Sequence, residues 1–322
     1  MAHDDNAAAA APSYSELPLN EVLKARYSWK YFGSDDELGT LNWITDEKVR
    51  TSLSEARSGT RINLTIEASE IAPPLYGRNA LVHTYLENDR NTWDDKLDEF
   101  YPQAGSQWDG LRHIRAREFG FFGGRTASPP DLGSELGMQA WATRGIVSRG
   151  VLLDVERYLT ATGVDYDPMV EYSVGPEVLA ATALSQGVEI LPGDILCVRF
   201  GWMAAYRQFD VAQRANLGSD EGWPAFAGLA AGEPTVEALW NWKVAAVACD
   251  NPGAEVAPGS AAVGSLHRRL LPLLGFAIGE LFDFDELAEA SAADGRWSFL
   301  LVSVPLNVSG AIGSPANAIA IR

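Results

Sequence analysis

Cysteine and histidine are scarce in this chain of 322 residues, which holds two of the first and four of the second. Cys197 and Cys249 sit singly inside apolar runs, DILCVRF and VAAVACD, with no CxxC or Cys-His spacing around them. That excludes a disulfide framework and a thiolate metal site, and the pair reads as reduced core residues. Positive charge is also in short supply, with 25 Lys and Arg against 43 Asp and Glu and a formal net charge of −18. Such a field repels phosphate backbones and anionic lipid, which argues against nucleic acid or a membrane surface as partner. No apolar stretch reaches the ~20 residues that span a bilayer. The candidate LLPLLGFAIG is short and broken by Pro272 and Gly275. The acidic, alanine-rich start, MAHDDNAAAAAPSYSE, lacks the basic and apolar regions of a secretory signal. It reads as a mobile tail over residues 1–15, and the protein as cytoplasmic.

What is present is a regular alternation of strand and helix signals. Thr45 as N-cap, acids in the first turn and Gly59 as the closing glycine predict a helix over ITDEKVRTSLSEARS, and RINLTIEA then alternates with period two as a strand does. Residues 70–108 lose periodicity and carry Pro73, Pro74 and Gly77, which predicts a long ordered excursion of the functional kind. From Gly145 onward GIVSRGVLLDV, DILCVRFGW, VAAVACD, FAI and WSFLLVSVPLNV read as strands. PEVLAATALSQG, PTVEALWNWK, SLHRRLLPLL and FDFDELAEA read as helices between them. The pattern predicts an α/β fold, a mixed central β-sheet with helices over its faces. With no repeat and no proline-glycine linker, residues 16–322 form one domain.

Candidate chemistry concentrates in two places. The densest polar cluster is Gln103-Ala-Gly-Ser-Gln107-Trp-Asp109-Gly-Leu-Arg-His113. Gly105 and Gly110 permit the unusual backbone that would let its side chains converge, and Asp109 and His113, at i and i+4, share a face if a helical turn begins here. A carboxylate beside an imidazole suits general acid–base work and also metal ligation; a surface pair capping a turn is the structural alternative. The second place is His267, opening a helix that ends at Gly275, with Glu280 thirteen positions on, before the next helix. A hairpin-like path can return Glu280 to His267. His3 falls in the tail, and His83, in ALVHTYL, reads as a packed strand histidine.

These residues resemble a known family. Asp36-Glu-Leu-Gly-Thr-Leu-Asn42, Arg149-Gly-Val-Leu-Leu-Asp154, Pro192-Gly-Asp-Ile-Leu196 with Gly201-Trp202, and Gly313-Ser-Pro315 match, in order and spacing, the cyclase superfamily of kynurenine formamidase, isatin hydrolase and polyketide cyclases. The resemblance implies a swivelling β/β/α-like domain. The family's metal motif, HxGTHxDxPxH, aligns on Gln103, Gly105, Ser106, Gln107, Asp109, Leu111 and His113. It places the catalytic histidine at His113, a carboxylate ligand at Asp109, and the later His and Glu ligands at His267 and Glu280. Gln103 and Gln107 stand where the motif has histidines, and Leu111 where it has proline.

The resemblance therefore implies a metal set of Gln103, Gln107, Asp109, His267 and Glu280, with catalysis by His113 and Asp109. Amide oxygens are hard donors, so Mn²⁺ or Mg²⁺ fits this set better than Zn²⁺. The expected reaction is metal-assisted hydrolysis of an amide, lactam or lactone in a small aromatic molecule. Two alternatives stay open: a metal-free cyclase, dehydratase or isomerase using His113 with Asp109 or Glu280, and a non-catalytic binding protein. Tyr27, Trp29, Tyr31, Phe32 and Trp43, with Phe119, Phe121 and Phe122, could line an aromatic pocket, and Arg112 and Arg115 could meet a substrate carboxylate. The family also implies a homodimer or larger homo-oligomer.

Overall fold

The computed structural model describes residues 11–218 and 224–322. Its strands, in chain order, are β1 (Arg61–Asn63), β2 (Gln107–Asp109), β3 (Ile146–Asp154), β4 (Ile195–Arg199), β5 (Ala246–Cys249), β6 (Ala277–Glu280), β7 (Ser298–Ser303), β8 (Gly313–Pro315) and β9 (Ala318–Ile321). They join in one mixed sheet of order β8-β2-β6-β5-β4-β3-β7-β9-β1. The four apolar runs β3, β4, β5 and β6 lie side by side and parallel, and the remaining strands extend the sheet antiparallel on either flank.

Parallel strands covered on both faces must be apolar on both, and these are. Leu152, Cys197, Ala248 and Ala277 pack into one core with α1 (Asp46–Ser52), α2 (Met138–Arg144) and α9 (Asp285–Asp294). Leu153, Val198, Val247 and Ile278, one residue on or back, pack into the other. Helices α3 (Val155–Ala161), α4 (Pro176–Gln186), α7 (Glu233–Trp242) and α8 (Leu266–Arg269) cover that side. The short α5 (Trp202–Arg207) and α6 (Val211–Leu217) follow β4. The α/β reading thus holds for the five strands β3 to β7, while β8 and β9, short strands near the C-terminus, are additions to it.

Local rules account for the helix ends. Thr45 caps α1, its hydroxyl accepting from the Lys48 N–H at 3.1 Å. The helix is shorter than its sequence predicts: it passes into a 3₁₀ turn at Leu53–Glu55, and Gly59 turns the chain into β1 instead of closing the helix. Helix α8 widens into a π turn over Leu270–Leu274, because Pro272 has no N–H for the regular ladder, and Gly275 ends it in the left-handed region. The Asp36–Asn42 segment lies against that end. A Cβ on Gly39 would stand 2.0 Å from the Gly275 carbonyl oxygen, so only glycine fits there.

Three expectations change. Residues 82–98 are not an excursion without strands but a hairpin, Val82–Asp89 paired with Thr92–Asp98. Both of its faces stand largely in solvent, so no buried face imposes the alternation that would reveal it. His83 is accordingly exposed and meets Asp95 at 2.7 Å rather than packing in a core. Of the expected tail, residues 1–10, with His3, lie outside the described residues. Pro12 accepts from the Trp240 indole and Tyr14 is buried on α7, so the segment from residue 12 is docked. Cys197 and Cys249 are free and buried as expected. Among the described residues no helix is long and apolar enough to cross a membrane.

Candidate metal and acid–base site

The carboxyl ends of the parallel strands share one edge of the sheet, the usual place for a site in such folds. Strand β6 ends there at Glu280. Strand β2 runs antiparallel beside it in a register that sets Gln107 opposite Glu280 and Asp109 opposite Ile278. Alternation turns Gln107 and Asp109 to one face and Trp108 to the other. There the Trp108 indole donates to the Ser303 hydroxyl at 2.9 Å and meets the Phe282 ring edge-on at 5.1 Å. Ser106 fixes the register by donating to the Leu281 carbonyl while accepting from the Ile66 N–H at 2.9 Å. Gly105 and Gly110 carry no left-handed backbone. Gly110 is needed instead for closeness, since a Cβ there would lie 2.6 Å from the Ile312 carbonyl oxygen.

The two sequence-distant halves of the site do come together. Asp109, His267 and Glu280 each offer a ligand atom within 4.8 Å of the others. His267 Nε2 lies 3.0 Å from Glu280 and 3.7 Å from Asp109, and its Nδ1 lies 2.7 Å from Glu255. Burial alone would favour the neutral ring, yet hydrogen bonding to the carboxylates outweighs it and raises His267 well above the ordinary histidine value. Burial also works against the Asp109 carboxylate, but His113, His267 and Gln103 hold it below the usual range. Glu280 moves the other way, raised by burial and by the charge of Asp109.

Glu255 is the residue sequence reasoning missed. Its carboxylate accepts from the Ser265 hydroxyl at 2.8 Å, from the backbone N–H of Leu266 at 2.5 Å and of His267 at 3.3 Å, and from His267 Nδ1. It therefore caps α8 and fixes the imidazole in one act. The sequence offers only a carboxylate in a glycine- and proline-rich loop after β5, which is no motif.

Asp109 and His113 meet through a turn, not a helix: β2 ends at Asp109, and the His113 N–H bonds to the Gly110 carbonyl. His113 Nε2 stands 3.7 Å from Asp109. Gln103 sits between them. Its amide nitrogen donates to Asp109 at 3.0 Å and to His113 Nδ1 at 3.0 Å. The reversed amide would set an oxygen against the Asp109 carboxylate, so the nitrogen belongs there. Gln103 is thus turned with its amide nitrogen as a donor to two site residues. Burial also lowers the affinity of His113 for a second proton.

Gln107 differs from Gln103. Its amide nitrogen donates to Glu280, which leaves Oε1 buried and without a hydrogen-bond partner. An orphaned oxygen beside two carboxylates and an imidazole is a donor set for a divalent cation. By that test Gln107, Asp109, His267 and Glu280 fit a metal.

The cluster opens on a cavity of about 900 Å³. Its aromatic walls are Tyr76 and Phe226, not the rings predicted for that role. Trp43, Phe121 and Phe122 are core residues, Tyr31 and Phe32 pack on Trp240, and Tyr27, Trp29 and Phe119 pack around Leu273. Arg112 is buried and donates to the carbonyls of Gly133 and Pro129, and Arg115 donates to Thr126. Neither lines the cavity; Arg78 does.

The family model described as "Putative cyclase" matches residues 62–256, more than half of the chain. The matched span contains Gln103 to His113 and Glu255 but stops before His267. A crystal structure described as a novel cyclase is similar at 29% identity, covering 95% of this chain and 100% of that one, with a TM-score of 0.81. Isatin hydrolase A from Labrenzia aggregata, bound to benzyl benzoate, is similar at 14% identity over 84% of this chain and 98% of its own, TM-score 0.61. An isatin hydrolase bound to the product analogue thioisatinate is similar at 17% identity over 86% and 98%, TM-score 0.59. At those identities the last two show the shared fold alone. A comparison with curated proteins gives no match.

Proposed function

The chain belongs to the cyclase family, and from that premise we propose that it is a divalent-cation-assisted hydrolase of an amide, lactam or lactone bond in a small aromatic molecule. The observation that carries this reading is the convergence of Asp109, His267 and Glu280 beside His113 at one cavity, with the orphaned Gln107 oxygen on an amide bonded to Glu280. Three of those donors are oxygens, which favours Mn²⁺ or Mg²⁺ over Zn²⁺. A bound cation supplies the positive charge that polarises a scissile carbonyl and acidifies a water molecule.

The chain's own groups do the rest. With Gln103 donating to Nδ1, a neutral His113 carries its proton on Nε2. In that tautomer Nε2–H is a hydrogen-bond donor, suited to stabilising the charge that develops on the leaving nitrogen or oxygen as the bond breaks. Asp109 holds the Gln103 amide in the orientation that selects the tautomer. Glu255 holds Nδ1–H of His267, which keeps Nε2 facing Asp109 and Glu280, where it would exchange its proton for a cation. The flat walls of Tyr76 and Phe226 suit an aromatic ring, and the cavity volume suits a single small molecule.

The test is elemental analysis of purified protein, followed by turnover of an N-formyl arylamine, an aromatic lactam and an aromatic lactone in ¹⁸O-labelled water. The reading expects one cation per chain, ¹⁸O in the product, loss of turnover on chelation, and loss of turnover in His113→Asn with the cation retained. Turnover that survives chelation without ¹⁸O incorporation would replace hydrolysis by proton-transfer chemistry at His113 and Asp109. Tight ligand binding without turnover, unchanged in His113→Asn, would leave a binding protein.

A further inference from the structure

The cavity carries positive charge that the cluster around His267 does not engage. In a chain of net charge −18, Arg78, Arg117, Arg268 and Arg269 all line its wall. The carboxylates that face the same space, Asp109, Glu255 and Glu280, are all gathered around His267. Arg269 is spent on the backbone carbonyls of Ala231 and Val263, each at 2.7 Å, and Arg117 and Arg268 stand exposed.

Arg78 is different in kind. It is partly buried, and one guanidinium nitrogen donates to the Gln103 carbonyl at 2.5 Å. Its guanidinium carbon lies 5.2 Å from the centroid of the Tyr76 ring. Those two contacts restrain the group, so less rotamer freedom is lost when it takes a partner. Among the described residues no carboxylate pairs with it. A guanidinium held beside an aromatic ring, with donors to spare and no carboxylate paired with it, is an arrangement that recognises a carboxylate. Its neighbours add direction: Tyr76 is an aromatic wall of the cavity, and Gln103 reaches His113.

We propose that Arg78 anchors a carboxylate of the substrate, so that the molecule hydrolysed is an aromatic amide, lactam or lactone that also carries a carboxylate group. This rests on the reading of the cavity as the catalytic site. It assigns specificity to a short turn, Leu75 to Arg78, in the segment where sequence periodicity fails. It also moves the anion-binding role from Arg112 and Arg115, which the fold spends elsewhere.

The experiment compares benzoate with its uncharged isostere benzamide by calorimetry on the protein as purified, then on Arg78→Met and Arg78→Lys. A charge-assisted pair predicts that benzoate binds about tenfold tighter than benzamide or better. Arg78→Met removes that preference, and Arg78→Lys restores only part of it, because an ammonium lacks the planar fork. A merely structural role for Arg78 would weaken both ligands together. Equal affinity for the two ligands in the native protein, or a preference that persists in Arg78→Met, overturns the proposal. The outcome is separable from hydrolysis. A protein that turns over none of the candidate bonds yet discriminates through Arg78 upholds the carboxylate site while removing the hydrolase. A protein that turns over 3-formamidobenzoate no better than formanilide, with no effect of Arg78→Met on that ratio, removes the carboxylate site alone.

Discussion

Glu255→Ala probes the point where fold and chemistry meet most closely. The carboxylate takes four hydrogen bonds, two from backbone N–H groups at the start of α8, one from Ser265 and one from His267 Nδ1. Helix α8 runs only four residues before it widens into the π turn, so the loss of its cap falls on the turn that carries His267. Removing the partner that orients a ligating histidine costs about 10- to 100-fold in metal affinity, which is about 1.4–2.8 kcal/mol. The upper end is expected here, because the freed imidazole keeps Glu280 and Asp109 as neighbours and can turn Nε2–H toward them. Glu255→Gln should fall between, since its amide oxygen can still accept from Nδ1 while its nitrogen opposes the Leu266 N–H. Calorimetric titration with Mn²⁺ measures the affinity, and far-UV circular dichroism checks the fold. Affinity of folded Glu255→Ala within about threefold of the native value would refute the reasoning, because the imidazole would then need no external orientation.

Trp108→Ala removes a wholly buried indole between the two site residues of β2 and should cost about 3–5 kcal/mol in urea unfolding. Trp108→Phe should cost less, the remaining cost containing the lost bond to Ser303. Gln107→His exchanges an amide oxygen for an imidazole nitrogen and should tilt competition between Zn²⁺ and Mn²⁺ toward Zn²⁺; an unchanged ratio would show that Gln107 does not face the cation. Burial pushes Asp250 up to about 7 from the ordinary 3.8, against the pull of Arg199 and the backbone N–H groups of Phe200 and Gly201. The folded chain then keeps a proton that the unfolded chain has released, so this contribution to stability is complete below the unfolded value and disappears as pH rises through about 7. A ¹³C-carboxyl titration of Asp250 with its midpoint near the ordinary value would contradict this.

The strands β3 to β7 were legible along the chain, though not their order in the sheet, because buried strands write continuous apolar runs bounded by capped helices. The meeting of Asp109, His113, His267 and Glu280 was legible only through the family motif, since nothing in their separation along the chain demands it. Gln103 shows the limit of reading a motif by position. It occupies a ligand's place in the alignment, yet its orientation follows from the charge of Asp109, which only coordinates reveal. Glu255 and Arg78 escaped because each is a single charged residue in an irregular loop, and only the folded cavity distinguishes them from surface charges. The aromatic residues misled for the opposite reason: rings crowd the segment at 27–43 because the core needs them, and the cavity draws its rings from Tyr76 and Phe226.

The solvent-facing hairpin supplies an optical handle on the molecule. Trp93, 60% exposed on its second strand, is the one tryptophan among the described residues that stands in solvent, whereas Trp43, Trp108, Trp141, Trp202 and Trp240 are sealed inside. A collisional quencher in the buffer will therefore extinguish the red edge of the emission and spare the blue. Anything that settles over the hairpin will announce itself as protection of that one fluorophore.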